Sequence, residues 1–343
     1  MKRTEKSTFI FEAEVTQGLE FITEAELRKF GAEAIVRYPG EVEFRFSGDL
    51  RRLLHLKTVQ SVSLVQHFNV PRPRGLLDNT NIRLIFQQIR LIRELSPSDA
   101  YHTLYVAAAG SDSAIMNRIK SAIAENTGLV SDREKGDLWM RIRPNRGGGW
   151  ETVTRLSPRP LVTRSWRVCN LEGALNAATA HAMVMLTNPR FDDVFINLGC
   201  GSATLLIERL AHNTCRGALG VDFAKSHLRC AQENIEAAGY TDRIRLQLAD
   251  MTQLPLPSAS ATALCADLPF GQLTGTHLVN QKLYPAVLDE AARISVPGAR
   301  FALITHEIRL MDALLPHSAW ALDQTIRVNL RGLHPRIYVL RRR

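Results

Sequence analysis

From residue 193 the chain alternates short apolar runs with helix-length amphipathic stretches, and few architectures tolerate that pattern. The runs lie at 194–198, 218–221, 244–248, 261–266 and 301–305, with helical stretches from Ser202, over 224–238 and near 282–295. Short apolar strands separated by helices predict a parallel, doubly wound α/β sheet covered on both faces. The end departs from this rhythm: 319–328 and 335–341 read as strands joined only through Leu330-Arg331-Gly332-Leu333-His334. So short a connection makes the pair antiparallel.

The first half reads differently. Residues 9–15 pattern as a strand, and Gly18 to Phe30 carries Leu19, Ile22, Leu27 and Phe30 at roughly helical spacing. Strands at 33–38 and 41–46 flank the turn Pro39-Gly40. Ser47 can cap a helix through Lys57, and 61–68 alternates as a strand, which gives the β-α-β-β-α-β order of a ferredoxin-like module. After the linker-like Pro71-Arg72-Pro73-Arg74-Gly75 come a helix at about 80–95, a strand at 103–109, a helix capped by Ser111 and ended by Gly128, and paired strands at 138–143 and 150–156. Gly147-Gly148-Gly149 leads into no helix, so it reads as a hairpin turn rather than a phosphate loop. The expected divisions are 1–70 (ferredoxin-like), 71–160 (small α+β), 161–190 (a linker and helix) and 191–343 (α/β).

Composition excludes several classes. With 45% hydrophobic and 22% charged residues the chain is not disordered. It has no apolar run of bilayer length, and its charged N-terminus leads into no signal-peptide core, so a cytoplasmic protein without membrane contact is expected. The five cysteines show neither C-x-x-C pairs nor histidines at zinc spacing, so a reduced, metal-free chain is expected. The net charge of +9 is uneven: residues 61–167 hold 16 basic and 9 acidic residues, whereas 1–60 hold ten of each. A basic segment between near-neutral ones suggests a surface for a polyanion, with Arg118, Lys120, Arg141, Arg143 and Arg146 as the candidate contacts.

Two strand ends carry the chemistry. Asn197-Leu198-Gly199-Cys200-Gly201-Ser202-Ala203-Thr204 follows a strand and opens a helix, so its glycines admit a ligand against the backbone and free helix amides near Ser202 point at it. Asp222 closes the next strand, where a carboxylate accepts ribose hydroxyls, and Phe223 beside it can cover an adenine face. Asp250-Met251 follow the third strand and suit an adenine amino group and ring nitrogen; the alternative for Asp250 is a turn residue. Thr204 stands where a dinucleotide loop wants a third glycine or alanine, which weakens a nicotinamide dehydrogenase reading.

Asp267-Leu268-Pro269-Phe270-Gly271 closes the fourth strand, where ligands collect in open α/β sheets. The lone pair of an exocyclic amine on a base is delocalised into the ring. The Asp267 carboxylate and a backbone carbonyl at Leu268 or the adjacent position, held by Pro269, can each accept one N–H and aim that lone pair at an electrophilic methyl group. Phe270 can stack on the base.

Gly199-x-Gly201, Asp222, Asp250 and Asp-Leu-Pro-Phe-Gly, in that order, resemble the S-adenosylmethionine-dependent amino-methyltransferases. With Glu14-Val15-Thr16-Gln17-Gly18-Leu19-Glu20, the basic segment after Arg74 and Gly332-Leu333-His334-Pro335-Arg336-Ile337-Tyr338-Val339-Leu340-Arg341-Arg342, the chain is similar to the THUMP-domain tRNA guanine N2-methyltransferases over about residues 8–343. The resemblance implies a Rossmann-like methyltransferase domain preceded by ferredoxin-like and THUMP domains that grip tRNA, and methylation of a guanosine in or near the acceptor stem by a chain taken to be a monomer. Asp267, Pro269 and Phe270 would position the base; Asn197, Gly199, Gly201, Ser202, Asp222, Phe223, Asp250 and Met251 would hold S-adenosylmethionine. The family usually has Asp where Asn197 stands and Gly where Ala203 stands. The same chemistry on ribosomal RNA, or a noncatalytic RNA-binding protein with a degenerate pocket, remain the alternatives. His181, His306 and Cys200 read as structural residues, and Trp139 and Trp150 as core, with RNA stacking as the alternative.

Overall fold

The computed structural model describes residues 8–269, 277–330 and 332–343. The chain divides into two compact units, one of Met1–Val15 with Thr23–Val162 and one of Thr16–Ile22 with Thr163–Arg343.

In the first unit, β1 (Phe9–Val15), β2 (Glu33–Tyr38), β3 (Glu41–Phe46) and β4 (Val59–Phe68) follow the ferredoxin-like strand order, with helix α1 (Glu20–Phe30) after β1. The expected helix over 47–57 is instead a short 3-10 segment, Leu50–His55, capped by Asp49 rather than Ser47. The cause is local: Leu50, Leu53 and Leu56 are all buried, and a three-residue repeat lines up on one side of a three-residue helix. Beyond Gly75 come α2 (Asn79–Arg93), β5 (Thr103–Ala108), α3 (Ala114–Thr127), β6 (Val130–Ser131), β7 (Leu138–Pro144) and β8 (Trp150–Arg155). Helix α3 is capped by Ser113, which accepts from the Met116 amide, and not by Ser111; Gly128 ends it in the left-handed conformation. Antiparallel pairing of β4 with β8 carries one sheet across the Pro71–Gly75 segment, in the order β2-β3-β1-β4-β8-β7-β5-β6.

The second unit contains α4 (Ala177–Leu186), β9 (Val194–Leu198), α5 (Thr204–His212), β10 (Gly217–Asp222), α6 (Lys225–Ala237), β11 (Ile244–Leu248), β12 (Ala261–Asp267), α7 (His277–Ile294), β13 (Ser295–Thr305), α8 (Ile308–Leu314), β14 (Trp320–Arg327) and β15 (Arg336–Arg342). The sheet order is β11-β10-β9-β12-β13-β15-β14. β9 to β13 pair in parallel, whereas β15 is antiparallel to both β13 and β14. The terminal hairpin therefore inserts its second strand between its first and the parallel sheet. The direction of winding reverses between β9 and β12, which places a ligand crevice beyond their carboxyl ends.

Candidate active site at the carboxyl ends of the parallel strands

Register places the motif residues along one edge. Leu198 pairs with Ala266 across β9 and β12, Val221 pairs with Leu198, and Asp222 pairs with Leu248. Gly199–Gly201, Asp222, Asp250 and Asp267 therefore all leave the sheet at the same end.

The glycine turn is held from the neighbouring strand. Gly199 and Gly201 have φ of +62° and +51°, the left-handed region that glycine enters without steric cost. The Cys200 amide donates to the Val221 carbonyl at 2.8 Å, and the Gly201 amide donates to Asp222 Oδ2 at 2.9 Å. Asp222 Oδ1 accepts from the Ala224 amide at 3.0 Å and lies 3.1 Å from His227 Nδ1, so the carboxylate is locked across the strand end. Phe223 beside it is 72% exposed, a large aromatic face left open at the mouth of the site. Met251 lines the turn, its sulfur 3.7 Å from where a Cβ on Gly199 would stand. Asp250 is exposed, and its Oδ1 accepts from both the amide and the hydroxyl of Thr252 at 2.8 Å; it closes a turn while its second oxygen takes no hydrogen bond among the described residues. Ser202 is buried behind the turn, its carbonyl accepting from Asn234 Nδ2 at 3.0 Å.

Asn197 is fully buried. Its Nδ2 donates to the Cys265 carbonyl at 3.1 Å and ties β9 to β12. A carboxylate here would face that carbonyl with no proton to give. Among the described residues its buried Oδ1 has no hydrogen-bond partner, which leaves an acceptor for an N–H. An ammonium-bearing cofactor with an adenosine moiety fits these donors and acceptors.

The five cysteines are not all reduced, contrary to expectation: Cys169 and Cys230 form a disulfide across 61 residues, with Cα atoms 5.4 Å apart. Folding supplies the proximity that spacing hides. The Val168 and Cys169 amides both donate to Asn234 Oδ1 at 2.9 Å, which lays this segment along α6. Leu171 then comes within 3.8 Å of the Cβ position of Gly201, and Arg167 donates to Thr204 Oγ1 at 2.8 Å. Cys200, Cys215 and Cys265 are free and buried, and burial pushes the Cys200 thiol well above its usual range.

Asp267 ends β12 partly buried. Among the described residues its carboxylate has no hydrogen-bond partner, and desolvation pushes it up to about 7. Leu268 donates its amide to the Ile304 carbonyl at 3.1 Å. The Pro269 carbonyl accepts from Tyr284 at 2.7 Å and from Asn280 Nδ2 at 3.2 Å. Tyr284 in turn lies 2.6 Å from Thr305 Oγ1. These residues were missed in the sequence; the signal was the i, i+4 pair of polar side chains on an otherwise apolar helix face. Phe270 and Gly271 lie outside the described residues.

The basic candidates lie in the other unit. Arg143 is bound to Glu12, to Glu151 at 2.7 Å and to Glu41 at 3.4 Å, and Arg146 is bound to Glu41 at 2.5 Å and stacked 3.6 Å over Tyr38. Lys120 is engaged with the Ser111 carbonyl and hydroxyl at 2.8 and 2.7 Å. Arg118 is exposed, and Arg141 stacks over Trp139 at 5.1 Å. His181 is buried against Glu208 at 2.8 Å, a structural role as expected. Among the described residues no cluster could hold a metal ion, and no helix is long and apolar enough to cross a membrane.

Residues 164–336, half of the chain, match the model of the RMKL-like methyltransferase domain. The chain belongs to that family. Over 95% of its length this family member is similar to the tRNA (guanine(6)-N2)-methyltransferase of Methanocaldococcus jannaschii, at 20% identity and covering 98% of that protein. It is 28% identical over 182 residues to the tRNA (guanine(6)-N(2))-methyltransferase THUMP3 of Bos taurus, a match that covers 49% of this chain and 36% of that one. The match thus spans about a third of the length of the mammalian THUMP3 relatives. The fold is that of TrmN from Thermus thermophilus, with a TM-score of 0.78, 23% identity and coverage of 98% of this chain and 100% of that one. SMU.472, solved in complex with SAH, gives 0.72 at 15% identity, covering 97% and 98%.

Proposed function

We propose that this methyltransferase transfers a methyl group from S-adenosylmethionine to the exocyclic N2 of a guanosine in or near the acceptor stem of tRNA. The observation that carries the reading is Asp267: a carboxylate with no hydrogen-bond partner among the described residues, at the end of β12 beside the strand end that bears the glycine turn. When bound, S-adenosylmethionine supplies a methyl group made electrophilic by its sulfonium. Asn197 Oδ1 and the free lone pairs of Asp222 and Asp250 hold the donor, and Phe223 covers its adenine. Asp267 accepts one N–H of the base amine and the Leu268 carbonyl accepts the other, which localises the nitrogen lone pair; Asp267 is then placed to take the proton that leaves as the N–C bond forms. The base reaches the site flipped from its stack or already unpaired, with Phe270 to cover its ring.

The basic first unit, read here as a ferredoxin-like module joined to a THUMP domain, holds the tRNA chiefly through its phosphates. Arg118 and Arg141 are its available contacts; Arg143 and Arg146 are spent on carboxylates. Guanine N2 is named as the target of both a tRNA and a U6 snRNA relative, the latter 30% identical over 133 residues, and tRNA is favoured because the relative aligned end to end acts on tRNA. Asp267→Ala should abolish methyl transfer to tRNA in a radiolabel assay while tRNA binding survives. Loss of both together, or survival of turnover, would overturn the assignment.

A further inference from the structure

The Leu268–Pro269 backbone just after β12 is held from behind. A carbonyl oxygen has two lone pairs, and that of Pro269 receives both the Tyr284 hydroxyl and Asn280 Nδ2. Tyr284 gives its one proton to that carbonyl, so Thr305, 2.6 Å away, donates to Tyr284 and still accepts from the Glu307 amide at 2.9 Å. The second Asn280 Nδ2 hydrogen goes to Glu307 Oε1 at 3.1 Å, and Glu307 Oε2 lies 2.9 Å from His277 Nδ1. Tyr284, Asn280 and Thr305 are fully buried. Among the described residues nothing donates to the Leu268 carbonyl.

We infer that Tyr284 and Asn280 are positioning residues: by saturating the Pro269 carbonyl they turn it away from substrate, fix the Leu268–Pro269 backbone and leave the Leu268 carbonyl as the second acceptor for the amine. The inference rests on the reading of Asp267 as the first acceptor. Neither side chain touches the substrate. Both act through the Pro269 carbonyl, and helical spacing brings them to it from one face of α7.

The test compares Tyr284→Phe, Thr305→Val and Thr305→Ser in the full chain, with turnover normalised to cofactor-binding sites counted by calorimetry with S-adenosylhomocysteine. A misplaced acceptor is expected to lower kcat by up to about 100-fold for Tyr284→Phe and Thr305→Val. KM for tRNA and Kd for S-adenosylhomocysteine should not move, and Thr305→Ser should keep wild-type turnover. A structural role alone would reduce the number of binding sites and leave kcat per site intact, and that result overturns the proposal. If Tyr284→Phe does not fold, the Thr305 pair makes the same comparison, because valine keeps the shape and only serine keeps the hydroxyl. Asp267→Ala separates the two levels: retained turnover sinks the reading of the site, whereas an inactive Asp267→Ala beside an unaffected Tyr284→Phe and Thr305→Val sinks the positioning role only.

Discussion

Asp267 has no compensating partner among the described residues, and two measurable effects follow. Burial raises its carboxyl to about 7 from an ordinary 3.8, and only the ionised form can take up the proton that the amine loses. kcat/KM for methyl transfer should therefore rise about tenfold per pH unit below 7 and level off above 8; a flat profile from pH 5.5 to 8.5 would remove Asp267 from the chemistry. The same shift costs stability. A carboxyl with a raised folded pKa contributes most below its unfolded pKa, and that contribution is lost as pH rises through about 7. Asp267→Asn should accordingly be more stable than wild type at pH 8 by roughly 1–3 kcal/mol and gain little at pH 4, as read from denaturant melts. Ala203 offers a second case. It sits at the start of α5 with φ of +66°, a left-handed conformation that costs a non-glycine residue about 1 kcal/mol. Ala203→Gly is expected to stabilise by about 0.5–1 kcal/mol, and a loss instead would mean that packing around its buried methyl outweighs the strain.

At the scale of elements, patterning was readable wherever burial repeats. The parallel strands, the turns at Pro39-Gly40 and 144–149, and the terminal hairpin could be read from apolar spacing and turn residues. What could not be read depends on contacts distant in sequence: the disulfide between Cys169 and Cys230, the clamp on Pro269, and the slot that β15 takes between β13 and β14. Ser47 failed as a cap because leucines at a three-residue period chose a 3-10 segment instead. The Thr16–Glu20 part of the Glu14–Glu20 motif, visible in the sequence only as a resemblance, now has a physical account. Thr16 and Thr179 share a hydroxyl hydrogen bond at 2.9 Å, the Gln17 carbonyl accepts from the Asn329 amide at 3.1 Å, and the Gly18 amide donates to the Glu20 carboxylate. Gly18 has φ of +100°, and a Cβ there would lie 2.1 Å from the Arg327 carbonyl oxygen. This short segment is thus stitched to β14 at a point where no side chain fits. Gly18→Ala should destabilise the chain by more than about 2 kcal/mol, while Gly31→Ala, whose Cβ would meet nothing within 4 Å, should cost less. Equal losses in thermal melts would mean that backbone strain alone, and not docking on β14, governs both positions.

At the scale of the whole molecule, charge is legible in the sequence but its availability is not. Composition counts Arg143 and Arg146 as cations for RNA; the fold surrounds them with Glu12, Glu41 and Glu151, and burial raises the Glu12 carboxyl above its usual range even with Arg143 beside it. Removing one partner from such a network leaves the others buried and unpaired, which costs more than the pair contributes. Arg143→Ala should therefore act on stability, by about 3 kcal/mol, and leave the salt dependence of tRNA binding unchanged in whatever fraction stays folded. Arg118 and Arg141 should behave in the opposite way. Each phosphate contact releases counterions, so Arg118→Ala or Arg141→Ala should lower the slope of log affinity against log salt by about one while the melting temperature stays put. Filter binding of tRNA at several salt concentrations, paired with thermal melts of the same variants, tells the two groups apart. If Arg143→Ala flattens the salt slope as much as Arg141→Ala does, the carboxylates do not hold Arg143 away from nucleic acid, and the RNA-facing surface extends across the sheet.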